Sequence, residues 1–276
     1  MTYGLLNKTK YELLKLFPKK TFSNIVGKWA AIPFPGPFAR LQSQVFCSIA
    51  SLNRDEIEAP VDSFATLDAL FTRRIKPSSR TIASDPDLVL CPADGRLESA
   101  GAINETTLIQ AKGLTYDLGG LLEDEAKRDV FRNGTFITVY LSPHDYHRVH
   151  FPVSGEVTTY RHIPGEFFPV GNFSRRYVPG LYARNERVIT YVKTPAGMVA
   201  VIMVAAMGVG NMTLSYLPSA TDSEPRPIPC AAGQELGIFH LGSTVVMLFE
   251  EGIIQRFDFE EQQLMTMGIP LGRLGA

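Results

Sequence analysis

Met198-Val199-Ala200-Val201-Ile202-Met203-Val204-Ala205-Ala206-Met207-Gly208-Val209-Gly210 decides how this chain is read. It is the apolar part of the longest uncharged stretch, Thr194 to Thr221, which also holds Pro195, Asn211 and Pro218. Its 13 residues fall short of the ~20 that a helix needs to cross a bilayer. A short apolar run, rich in β-branched residues and bounded by Gly and Pro, reads instead as a buried strand or strand pair. The same texture extends on both sides. Short runs between turn residues occur at Leu88–Cys91, Arg96–Ile103, Thr135–Leu141, Gly155–Arg161, Val188–Lys193, Met212–Leu217, Gly237–His240 and Thr244–Phe249. From residue 88 onward the pattern predicts a β-rich sandwich or barrel-like body, interrupted by one helix near Leu118–Arg128.

The first 75 residues read differently. Leu5, Leu6, Leu13, Leu14, Leu16 and Phe17 share a broad helical face, and Pro18 ends that helix or begins the next. Phe22, Ile25, Val26 and Trp29 repeat at i, i+3, i+4, i+7. The stiff connector Ile32–Phe38 carries three prolines. A helix is expected over Arg40–Leu52 and a short one over Thr66–Thr72, capped by Ser63 or Thr66. The fold class is therefore α+β, with a helical region at 1–75 and a β-rich catalytic body at 76–276.

Charge is uneven. Lys plus Arg number 27 and Asp plus Glu 28, a net charge of −1. Residues 1–40 hold seven basic residues and one acid, a net +6, which leaves −7 on the rest. A basic, apolar N-terminus on an acidic chain suggests an anionic surface as partner and gives no indication of nucleic acid. No secretory h-region is visible. At 45% hydrophobic and 20% charged, the composition excludes a mainly disordered chain. Three dispersed cysteines, with no CxxC, suggest neither a disulfide framework nor a zinc ribbon.

Three local motifs carry chemistry. Pro92-Ala93-Asp94-Gly95 places an acid in a turn between strands. Tyr140-Leu141-Ser142-Pro143-His144-Asp145-Tyr146-His147-Arg148-Val149-His150 gathers three of the five histidines. Leu241-Gly242-Ser243-Thr244 is a small-residue turn that opens a strand. Taken alone, the first and third are ordinary turns. The histidines, spaced by three, could line a helix face and bind a metal, or serve as acid and base. His162 and His240 are isolated and read as structural or surface residues.

Together, in this order and spacing, the motifs resemble those of the membrane-associated bacterial phosphatidylserine decarboxylases, a pyruvoyl-dependent group. Phe131–Phe136, Ala183–Val188 and Gln110–Gly113 support the resemblance, which runs from about residue 5 to the C-terminal end. It implies a triad of Asp94, His150 and Ser243 that cuts the chain between Gly242 and Ser243. His150 serves as base, and Asp94 orients it. Ser243 becomes a covalent pyruvoyl group, the only cofactor, with no metal. The products are a β chain, 1–242, and an α chain, 243–276, held as a heterodimer; a higher oligomer is left open.

The implied reaction is decarboxylation of phosphatidylserine to phosphatidylethanolamine through a Schiff base to the pyruvoyl group, with His147 as acid and Tyr146 as the lesser candidate. No role falls to His144. Lys112, Arg148, Arg184 and Arg187 are candidate grips for the substrate phosphate, and each could equally be a structural ion pair. The implied location is the cytoplasmic face of the cell membrane, held peripherally. Competing readings are an Asp–His–Ser hydrolase acting on an external ester or amide, a metal-dependent hydrolase using His144, His147 and His150, and a non-enzymatic membrane-binding β module. The first lacks the GxSxG elbow of many such enzymes.

Overall fold

A computed structural model describes residues 2–111, 114–208, 211–217, 227–240, 243–255 and 262–275. Four helices lead: α1 Thr2–Leu16, α2 Lys19–Ala30, α3 Gly36–Ile49 and α4 Leu67–Phe71. Single 3-10 turns occupy Arg54–Glu56, Val61–Ser63 and Pro77–Ser79. The breaks follow the prolines. Pro18 sits at the N-cap of α2, and Pro35 at that of α3. Pro37 lies in the first turn of α3, where its missing N–H costs nothing, so that helix begins earlier than the expected Arg40. Thr66, not Ser63, caps α4 by accepting from Ala69 N–H.

The body follows with strands β1 Leu88–Leu90, β2 Gly95–Ala102, β3 Thr107–Ala111 and β4 Leu114–Asp117. Helices α5 Leu118–Leu122 and α6 Glu125–Val130 stand where one helix was expected. Next come β5 Thr135–Leu141, β6 Arg148–His150 and β7 Gly155–Ile163, then short helices α7 Asn172–Tyr177 and α8 Leu181–Arg184. Then come β8 Arg187–Lys193, β9 Met198–Ala205, β10 Asn211–Leu214, β11 Ile228–Cys230, β12 Glu235–His240 and β13 Ser243–Phe249. The chain closes with β14 Ile254–Gln255, β15 Leu264–Met265 and β16 Pro270–Leu274.

Eight strands form one antiparallel sheet in the order β11-β7-β8-β9-β13-β5-β2-β15. The sheet is open and does not close into a barrel. The first eight residues of the opening run, Met198–Ala205, form β9, which lies beside β13 at the centre. Ser243 pairs with Leu141 on one side and Ala205 on the other, and the register holds without a break to Phe249. Both strands are buried along nearly their whole length, which is why they read as continuous apolar runs.

Alternation sends Val245, Met247 and Phe249 to one face of the sheet, with Val199, Val201, Met203, Val139 and Leu141. Two three-stranded sheets, β1-β16-β14 and β10-β12-β6, cover that face through residues such as Val89, Val149, Phe239 and Leu271. Val246 and Leu248 point the other way, into a second core built with α5, α8 and the β3–β4 hairpin. Two separate cores, one on each side of the sheet, give the apolar 45% of the chain somewhere to go.

Helices α1–α3 leave many large apolar side chains exposed, although Cys47, Leu52, Ile57 and Leu70 form a small core of their own in the helical region. Leu16 is 83% exposed and Ile49 79%, and Ile25, Trp29, Phe38 and Leu41 are also exposed. Lys10, Lys15, Lys20, Lys28 and Arg40 are exposed on the same helical region. Among the described residues, no helix is long and apolar enough to cross a membrane.

Candidate active site

Ser243 opens β13 and is fully buried. By alternation it shares the face of Val245, on which β6 and β12 pack. Its Oγ lies 3.5 Å from His147 Nδ1, at the outer limit of a hydrogen bond. The other ring nitrogen of His147, Nε2, is 3.1 Å from the Ser142 carbonyl oxygen. A carbonyl only accepts, so Nε2 carries the proton and Nδ1 turns a lone pair toward the serine hydroxyl. Burial, with the nearby Arg73 guanidinium, pushes the His147 pKa down to about 3, so the ring is neutral at ordinary pH.

The loop carrying His147 is shaped by its own residues. The Asp145 carboxylate accepts from Ser142 N–H at 2.6 Å, and Asp145 N–H donates back to the Ser142 carbonyl at 2.9 Å. The segment is a loop that runs into strand β6, so the three histidines do not line one helix face. His144 is half exposed beside Asp145. Among the described residues, no group of three metal-ligating side chains converges.

His150 lies on β6, with its backbone N–H donating to Pro92 O at 2.8 Å. Its Nδ1 is 2.8 Å from Gly233 O, which fixes the proton on Nδ1. Nε2 is buried and, among the described residues, has no partner. Burial lowers the ring's pKa, opposed by the bond to Gly233. His150 is thus a neutral imidazole with a bare, dry nitrogen, the state a general base needs.

Asp94 is buried in the turn before β2. Oδ1 accepts from Arg80 Nε at 3.0 Å and from Met267 N–H at 2.8 Å, and Oδ2 accepts from the second arm of Arg80. Gly95, at φ +154°, turns the chain here, and a Cβ at that position would stand 2.2 Å from the Tyr140 carbonyl oxygen. No other residue fits that approach.

His150 and the turn that carries Asp94 are joined through the Pro92 carbonyl, but the three residues of the expected triad are not bonded in series. Among the described residues, Asp94 makes no hydrogen bond to His150, and Ser243 touches His147 rather than His150. Gly242 and Lys112 lie outside the described residues. Three candidate phosphate grips are committed elsewhere. Arg148 pairs with Glu235 at 2.8 Å, Arg184 with Glu166 at 2.6 Å, and Arg187 with the Gly120 and Leu121 carbonyls and Glu123. His162 sits at the surface near Glu186. His240 is bound to Asp68.

Sequence reading missed Phe71, whose ring stacks on His147 at 3.9 Å, along with Arg73, Arg80 and Gly233. None of them lies in a local pattern that points to chemistry. Ser243 opens a central strand and does not occupy a strand–helix elbow, which removes the structural basis for the hydrolase reading.

Known proteins place the chain. The family model described as Phosphatidylserine decarboxylase matches residues 67–273. A phosphatidylserine decarboxylase proenzyme from Anaeromyxobacter sp. (strain K) is 39% identical over 250 residues, covering 87% of this chain and 88% of the relative. A relative of the same name from Myxococcus xanthus is 33% identical, covering 96% and 98%. One from Escherichia coli O9:H4 is 35% identical, covering 97% and 88%. These matches show that the chain belongs to the phosphatidylserine decarboxylase family and is a decarboxylase.

Proposed function

We propose that this chain is a precursor that cuts itself between Gly242 and Ser243, and that the new N-terminal residue becomes the pyruvoyl group with which it decarboxylates phosphatidylserine. One observation carries the reading: the fully buried Ser243 hydroxyl lies on the sheet face covered by β6, the strand that ends in His150 and follows His147, whose Nδ1 is 3.5 Å away. A buried serine next to a base, in a strand paired on both sides, has the chain's own backbone as its nearest substrate.

Ser243 Oγ attacks the preceding carbonyl and loses its proton to a histidine. The amide becomes an ester, and Ser243 N gains a proton. Elimination then leaves a carboxylate on Gly242 and dehydroalanine at 243, and addition of water with loss of ammonia yields the ketone. We assign the proton transfer to His150, whose unpartnered Nε2 is free to take it, and leave His147 for the second reaction. Asp94 keeps the turn whose Pro92 carbonyl holds His150.

The pyruvoyl group fits this place, because the side chain it derives from is dry, enclosed by strands and beside one nitrogen base. When formed, it supplies a carbonyl that binds the substrate amine and accepts the electron pair released with carbon dioxide. His147 Nδ1 takes a proton from the incoming ammonium and returns it to the carbon that lost the carboxylate. The ring's neutrality is what lets it act first as acceptor. Intact mass under denaturing conditions tests the whole reading. Two chains are expected, the smaller of 34 residues with a blocked N-terminus. One uncut chain in active material refutes it.

The exposed apolar residues and lysines of α1–α3 suit peripheral docking on an anionic membrane, where the lipid substrate resides. Each basic residue near such a surface contributes about 1 kcal/mol. Ile25→Ser with Trp29→Ser is expected to weaken sedimentation with phosphatidylserine vesicles at least about 10-fold, since two apolar anchors are lost. Unchanged binding removes α2 from the docking face.

A further inference from the structure

The site reading leaves unexplained a set of side chains from residues 54–80, which reach all three motif-bearing segments. Asp68 on α4 accepts from His240 Nδ1 at 2.9 and 3.0 Å, three residues before Ser243 in the chain. Phe71 stacks on His147. The Thr72 carbonyl accepts from Arg148 Nε at 2.9 Å. Arg73 donates to the carbonyls of His144 at 2.8 Å and Asp145 at 3.2 Å, inside the loop that carries His147. Arg80 grips Asp94 with two nitrogens and is itself held by Glu56 at 2.9 Å and the Ser79 carbonyl at 2.7 Å.

Arg73 is the least expected of these. It is 5% exposed, its Nε has no partner, and among the described residues it bonds only to carbonyls and to no carboxylate. A buried charge with no carboxylate in direct contact is costly, and Asp94, Glu56 and Asp145 offset that cost for Arg73 only through space. Here that charge ties α4 to the His147 loop. Asp94, for its part, has both oxygens occupied by Arg80 and Met267, so its orientation is set by Arg80.

We propose that residues 67–80 form a positioning bracket for self-cleavage, in which Arg73 sets the loop that runs into β6, and with it His150, and Arg80 sets the carboxylate of Asp94. The proposal rests on the self-cleavage reading and extends it to side chains that touch no reacting atom. Both arginines are positioning residues. Misplacing a reacting group by about 1 Å costs on the order of 10²-fold in rate.

The test follows cutting of newly synthesised full-length precursor over time on denaturing gels. Arg73→Ala and Arg80→Ala are each expected to slow cutting about 10²-fold, the cost of such misplacement. Guanidinium ion at non-denaturing millimolar concentration is expected to restore much of the rate in Arg80→Ala, where sodium at equal ionic strength does not. A merely structural arginine gives no such rescue. Wild-type cutting rates in both variants overturn the proposal.

Where an alanine variant fails to fold, Arg73→Lys and Arg80→Lys keep the charge but lose the planar fork. Hydrogen exchange in the uncut Ser243→Ala chain then decides. Faster exchange at Asp145 N–H with Arg73→Lys and at His150 N–H with Arg80→Lys supports the bracket, and unchanged exchange at both overturns it. Should the wild-type precursor itself stay whole, the self-cleavage reading falls, and the exchange result alone judges the bracket.

Discussion

Ser243→Ala is expected to leave one chain of 30.5 kDa with no decarboxylase activity. The loss should be complete to background, at least about 10⁶-fold, the lower end of enzymatic rate accelerations. The reason is chemical rather than structural. In the proposed mechanism Ser243 supplies both the hydroxyl that cuts the backbone and, through its own carbon atoms, the skeleton of the electron acceptor. Its removal costs little stability, because the 3.5 Å contact to His147 is weak and alanine fits the same strand position. A folded, uncut and inactive chain is therefore the signature to look for. Activity retained by this variant would end the pyruvoyl reading.

The two histidines should separate in kind. His150→Ala is expected to leave the precursor uncut, since the Nε2 to which the serine proton is assigned is gone. His147→Ala is expected to allow at least partial cutting but to lower decarboxylation by the matured fraction about 10²- to 10⁴-fold, the usual worth of a positioned acid–base group. The assay must therefore report carbon dioxide per cut chain. The reverse pattern, with His147→Ala uncut and His150→Ala cut, would exchange the two assignments. The 3.5 Å contact between Ser243 and His147 makes that a real alternative outcome of the same experiment.

Much of the scaffold was legible because it rests on local pattern. Strands appear at all nine expected runs, since burial on one or both faces leaves a direct trace in alternation or continuity. Strands such as Arg148–His150 and Leu264–Met265 were not legible. They are two or three residues long, and their pairing comes from distant partners. The motif residues could be named from the chain, but their contacts could not. Nothing near Asp94 announces Arg80, and nothing in the YLSP segment announces Arg73 or Phe71, because those contacts span 14 to 76 residues of sequence. The division drawn at residue 75 follows a change of texture in the sequence, and it runs between Arg73 and Arg80, which bond to the His144 carbonyl and to Asp94.

β13 is the middle strand of the large sheet, hydrogen-bonded along its full length to β5 and β9. A cut at its leading end converts an interior element of one molecule into a separate peptide that holds the sheet together. Unfolding of the matured protein then becomes a dissociation, so its melting temperature should rise with protein concentration, whereas that of the uncut Ser243→Ala chain should not. Refolding becomes a second-order search between a 34-residue fragment and a body missing its central rib. If the chain is cut there as proposed, the matured molecule is assembled once, and thermal damage to it is expected to be harder to reverse than damage to its precursor.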